Sequence, residues 1–215
     1  MPAMADLRSL PPTARRRTDE EDRRTYAVHC EQLHCQRGGA FWEPFPWGDP
    51  EQAYINDVFR AADTIVLSRV MYEAIVPWWE IVAAGQVPDD VPEVSPTFRE
   101  FADVLAGMRK VVISRTWPAT DQRPVIGGDL VEALTALKNQ DGDADILLAC
   151  GPTTLGPLAS APGLVDEYVI AVHPAVLPAG PQLFDHLTAN LALELIEAKS
   201  FKAGVVVLSY QTVLP

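Results

Sequence analysis

The sequence predicts an α/β protein of three layers. A mixed, mostly parallel central sheet lies between helices, and antiparallel strands close its C-terminal end. Three observations predict this. Short runs such as 64–67, Arg109–Ile113 and 146–150 are almost wholly apolar over their inner residues, as in strands covered on both faces. Stretches with helical spacing of apolar residues alternate with them. From Val165 onward strands succeed one another without helices between them.

Taken in order, residues 1–24 are rich in proline and charge with no periodicity, and read as a mobile tail before one domain over 25–215. The Arg15-Arg16-Arg17 run is offset by Asp19, Glu20, Glu21 and Asp22. A first strand is expected over 26–33, then a polar and aromatic loop. Asp49-Pro50-Glu51 reads as a helix start: a cap, a proline at the first position, and an acid near the positive end. Tyr54, Ile55, Val58 and Phe59 form the stripe of that helix. After the 64–67 strand, Ser68 can cap a helix carrying Met71, Ile75 and Trp78, with a break expected at Pro77. Ser95-Pro96 starts another helix, with Phe98, Phe101, Ala102 and Leu105 on its inner face. Val125-Ile126 is a short strand, and 129–138 a helix with Leu130, Ala133, Leu134 and Leu137 on one side. The 146–150 strand stops at Gly151-Pro152, and Thr153 or Thr154 can cap a short helix after it. Strands over 165–172, 191–198 and 204–211 complete the sheet, with Ala203-Gly204 turning between the last two.

Composition narrows the function classes. The chain has 215 residues and a net charge of −12, which argues against a nucleic-acid partner, because phosphate binding needs clustered positive charge. No apolar run approaches a membrane span. Three cysteines without framework spacing fit a reducing, cytoplasmic setting.

The stretch 145–185 is the most informative. A buried strand that ends at glycine and hands over to a helix N-terminus leaves backbone N–H groups and a helix dipole, which suit a pyrophosphate. Gly151, Thr154 and Leu155 are followed by Leu164-Val165-Asp166-Glu167-Tyr168, His173-Pro174-Ala175-Val176-Leu177 and Leu183-Phe184. Upstream lie Ala62-Asp63-Thr64-Ile65-Val66-Leu67-Ser68-Arg69 with Tyr72-Glu73, and Lys110-Val111-Val112-Ile113-Ser114-Arg115-Thr116. In order and spacing these resemble the reductase family that includes dihydrofolate reductase and the C-terminal reductase domain of bacterial riboflavin biosynthesis.

The resemblance implies a dihydrofolate reductase-like fold, NADPH as cofactor, hydride transfer to a small aromatic or heterocyclic substrate, and a homodimer. It implies that three turns hold the cofactor: Ser68-Arg69, Ser114-Arg115-Thr116, and Gly151-Pro152-Thr153-Thr154-Leu155. The arginines suit a ribose 2′-phosphate because a guanidinium grips phosphate as a fork. Ser68 and Pro152 depart from the family pattern, where glycine, and glycine or serine, are usual. The Ser-Leu-Asp-Gly that relatives carry near the end of the first strand is absent, and Glu31 is the nearest acid. A non-catalytic nucleotide- or ligand-binding protein on the same fold therefore stays open as the alternative.

Candidate proton donors are Glu31, His173 or water. Trp42, Trp47 and Trp78 are candidate walls of a substrate pocket, since tryptophans suit a flat apolar ligand; the same rings could cover the core. His29, Cys30, His34 and Cys35 do not form a metal site on a strand, where Cys30 and His34 would stand about 13 Å apart. No metal is expected.

Overall fold

A computed structural model describes residues 24–30, 45–140, 144–176 and 182–214. The element order is β1 (Thr25–Cys30), α1 (Asp49–Arg60), β2 (Ala62–Ser68), α2 (Arg69–Ala83), α3 (Pro96–Gly107), β3 (Arg109–Ile113), β4 (Val125–Ile126), α4 (Leu130–Lys138), β5 (Asp145–Ala149), α5 (Pro152–Ala159), β6 (Glu167–Val172), β7 (Leu193–Ser200) and β8 (Val206–Thr212). The strands form one sheet in the order β4-β3-β2-β5-β1-β6-β8-β7. From β4 to β6 every pairing is parallel. β8 pairs antiparallel with β6 and β7 antiparallel with β8.

The two-residue period of the strands divides the core between two faces. Tyr26, Ile65, Leu67 and Leu147 turn toward α1, α2 and α3. Ala27, Val66, Ile146 and Leu148 turn toward α4 and α5. This is why the central runs are apolar throughout. The edge strand β7 is more exposed and carries Glu194, Glu197 and Lys199.

The differences from the sequence expectation are local. Pro77 does not break α2, which runs through it to Ala83. Pro77 and Glu73, whose carbonyl loses its helical donor, are both exposed, so water can serve that carbonyl. The buried stripe of α2 is Met71, Val76, Trp79 and Val82. Gly48, not Asp49, precedes α1, and its N–H donates to the Glu51 carboxylate at 3.0 Å. The Asp49 carboxylate instead accepts from the Ser95 hydroxyl, tying the starts of α1 and α3 together. Gly151, not Thr153 or Thr154, is the cap residue of α5. Pro152 already has the φ that a first helical turn requires, so the helix starts earlier. Gly204, in the β7–β8 turn, has φ +91 and lies so near Pro174 that a Cβ would stand 3.0 Å from its ring. Both facts call for glycine there. Residues 1–23 of the proposed tail, Glu31, Trp42, His34 and Cys35 lie outside the described residues, while Arg24 is held by Asp145 and Glu167.

Candidate active site

The C-terminal ends of β3, β2, β5, β1 and β6 lie side by side along one edge of the sheet. Ser68 pairs in register with Ile113, and Leu67 with Ala149, so the turns at Ser68, Ser114 and Gly151 are neighbours. Two strands further on, β6 ends at Val172 and delivers His173 to the same edge.

At the β2 and β3 ends the side chains are already organised. The Ser114 hydroxyl accepts the N–H groups of Thr116 (3.2 Å) and Trp117 (3.0 Å), which fixes the turn and leaves its own hydrogen to donate. The Ser68 hydroxyl accepts the Met71 N–H at 3.4 Å and so caps α2. Arg69 donates from Nε to Glu73 at 3.0 Å and reaches the Thr116 hydroxyl only at 3.5 Å. Its guanidinium carbon lies 5.4 Å from the centre of the Trp117 ring. A second guanidinium, Arg123, lies closer, at 4.3 Å from the same indole and 5.8 Å from Tyr72. Tyr72 and Trp117 meet edge to face at 5.6 Å. Arg115 is exposed, and the guanidiniums placed over these rings are those of Arg69 and Arg123. Sequence reasoning missed Trp117 and Arg123. The aromatic next to the Ser-Arg-Thr turn was a visible signal; the partnership with Arg123 is tertiary.

At the β5 end, α5 begins at Gly151 with no side-chain cap. In the other helices a side chain serves the first turn: Ser68, Ser95, Asp129, and Glu51 reaching back to Gly48. A Cβ built on Gly151 would enter open space.

At the β6 end, His173 is 9 % exposed, and its Nδ1 is buried without a hydrogen-bond partner. Its ring lies 5.3 Å from Phe45 and 5.6 Å from Trp47. Burial lowers its pKa; the Pro46 carbonyl and then the Glu51 charge oppose that. A chain of buried amides runs back from the wall: Trp47 Nε1–H to Gln52, Gln52 to Asn56, and Asn56 to the Thr97 carbonyl, each at 3.0 Å. Trp78 packs on the same core cluster as Trp47. It meets Trp79 edge to face, and its N–H donates to Asp90 at 3.0 Å. Ten residues into α2, it stands about 13 Å along the helix from Arg69. Cys150, buried at the end of β5, has its thiol pushed up to about 12 by desolvation, and is inert packing. Among the described residues no group of three or more His, Cys, Asp or Glu could hold a metal ion, and no helix is long and apolar enough to cross a membrane.

The family described as the RibD C-terminal domain matches residues 31–207. The chain belongs to that family. It is similar to YyaP of Bacillus subtilis (strain 168), described as uncharacterized, at 28 % identity over 163 residues, which cover 75 % of this chain and 80 % of the other. Among solved structures, a putative riboflavin biosynthesis protein from Shewanella sp. PV-4 aligns with TM-score 0.58 and 17 % identity, covering 90 % of this chain and 99 % of that one. Dihydrofolate reductase from Enterococcus faecalis, solved with NADP(H), aligns with TM-score 0.51 and 13 % identity, covering 88 % and 96 %. The sheet order, the flanking helices and the antiparallel C-terminal strands are thus those of the dihydrofolate reductase-like fold that the sequence led us to expect.

The residues at the edge fit a phosphorylated dinucleotide. Two guanidiniums, Arg69 and Arg123, share the Trp117 ring, the α5 start is uncapped, and Gly151 leaves room in front of it.

Proposed function

We propose that the protein is an NADPH-dependent reductase acting on a small, planar aromatic or heterocyclic substrate. The observation that carries this reading is the order of chemistry along the edge. Guanidinium, hydroxyl and aromatic groups stand at β3 and β2, an uncapped helix start at β5, and an aromatic-walled histidine at β6. From β3 to β6 is four strand spacings, about 19 Å, enough for a dinucleotide lying across the strand ends.

In this reading Ser114, Thr116, Arg69 and Arg115 surround the adenosine end, with Ser68 holding the start of α2 in place. The Gly151–Thr154 backbone faces the pyrophosphate, with Pro152 setting the turn and Leu155 anchoring α5 in the core. When bound, the nicotinamide supplies a hydride to a C=N, C=C or C=O bond of the substrate. Phe45 and Trp47 stack against a flat substrate and exclude water. His173, whose pKa burial lowers, stands beside that wall as a candidate proton donor. Glu31 and Trp42 are further candidates from the stretch of sequence that follows β1, and the same reading includes a homodimer.

The test is thermal unfolding with NADPH and with NADH. A ligand that binds only the folded state raises the melting temperature as its concentration exceeds Kd. A dose-dependent rise supports the reading. No rise with either nucleotide at millimolar concentration removes the cofactor and leaves a protein that binds something else on this fold.

A further inference from the structure

We propose that Arg123, seated on the Trp117 indole, is the residue by which this chain selects a ribose 2′-phosphate, and so NADPH over NADH. The inference rests on the cofactor reading but goes beyond its residues. Arg69 and Arg115 lie in the turns at the strand ends; Arg123 comes from the connection between β3 and β4.

The two arginines on the indole differ in what they already hold. Arg69 is paired with Glu73 at 3.0 Å, so a phosphate brought to Arg69 also meets a carboxylate. Among the described residues Arg123 has no acidic partner, and its guanidinium lies 4.3 Å from the Trp117 ring and 5.8 Å from Tyr72. Its Nε is buried and makes no hydrogen bond. That nitrogen is closed off by the protein, so an anion would be met by the terminal nitrogens of the guanidinium. Stacking on an indole also leaves the guanidinium edge, with its fork of N–H groups, available to an anion.

The position is fixed as well as charged. Thr120 and Arg123 exchange backbone hydrogen bonds at 3.1 Å, and the Thr120 hydroxyl accepts the Arg123 N–H at the same distance. The next residue, Pro124, accepts the Val112 N–H at 2.9 Å and so locks the segment to β3. On the facing side, Trp117 is held by the Ser114 hydroxyl. The side chain that would meet the phosphate is therefore placed by two anchored turns before any ligand arrives, which lowers the ordering cost of binding. In a chain of net charge −12, two guanidiniums sharing one indole form a local exception that suits an anion.

The experiment measures Kd for NADPH and NADH with the wild type, Arg123→Gln and Arg123→Lys. Arg109→Gln, at the opposite end of β3, is the control. We expect the wild type to prefer NADPH, Arg123→Gln to weaken NADPH binding at least tenfold, and NADH to stay within twofold. Arg123→Lys should recover only part of the loss, because it keeps the charge without the fork. An NADPH affinity unchanged in Arg123→Gln overturns the inference while leaving the reductase reading intact. A wild type that binds neither nucleotide overturns both. Should the variants fail to fold, the Nε–H resonance of Arg123 in the labelled wild type decides. It should move on adding NADPH and stay with NADH; equal movement with both overturns the assignment.

Discussion

The indole N–H of Trp47 donates to the side-chain carbonyl of Gln52 at 3.0 Å, and Gln52 is only 4 % exposed. This bond joins the aromatic wall beside His173 to the interior of α1. Gln52 then donates to Asn56, which is fully buried and also bonded to Glu100 on α3 at 3.2 Å. Gln52→Leu leaves the indole N–H and the Asn56 carbonyl without partners. A loss of about 1–3 kcal/mol is expected in urea unfolding, with a change in the near-ultraviolet circular dichroism of the tryptophans. An unchanged stability would mean that the amide chain does not hold the wall.

His173 gives a pH dependence of definite sign. Burial, the largest cause, lowers its pKa below the ordinary 6.5, so the unfolded chain takes up the proton first as pH falls. Its contribution to stability is therefore intact above about pH 6.5 and is lost between there and the lower folded pKa. The difference in unfolding free energy between wild type and His173→Phe should slope only in that acidic window, by at most about 1.4 kcal/mol per pH unit. A parallel pair of curves from pH 8 to 5 would contradict it.

Gly151→Ala separates folding from binding. Gly151 has φ −71, open to any residue, and a Cβ there touches nothing within 4 Å. The melting temperature should change little, since losing glycine for alanine at a cap costs under about 1 kcal/mol. Nucleotide binding, measured by titration, should weaken at least fivefold, because the methyl group enters the space reserved for the pyrophosphate. Full affinity in the variant would place the phosphates elsewhere.

The edge strand β7 carries Leu195 at 52 % exposure, and Leu214 beyond β8 is also exposed. Unpaired strand edges of this kind invite pairing with a second copy. Sedimentation should show a dimer, and Leu195→Lys should shift it toward monomer without loss of nucleotide binding. A wild type that is monomeric at tens of micromolar would remove the dimer.

Much of the fold was legible because it rests on local rules. The runs at β2 and β5 are apolar since helices cover both faces, and Ser68 and Ser95 cap where they stand. The features that were missed depend on partners distant in sequence. Asp49 looks like a cap, but its carboxylate serves Ser95, 46 residues away. Pro77 looks like a break, but it falls on the exposed side of α2, where water can reach the carbonyl that loses its donor. At the site, the strand-end turns were visible in the sequence. The stack of Arg123 on Trp117 and the amides behind Trp47 were not, although Gln52 and Asn56, four apart on the buried face of α1, were a signal for the latter.

The central claim is that one dinucleotide lies across the strand ends with its adenosine over β3 and its nicotinamide toward β6. A crystal structure grown with NADPH tests it most directly. The account predicts the 2′-phosphate against Arg123, the pyrophosphate at the Gly151 turn, and the nicotinamide on the side of His173. Nucleotide bound in the reverse direction, or away from this edge, would contradict it.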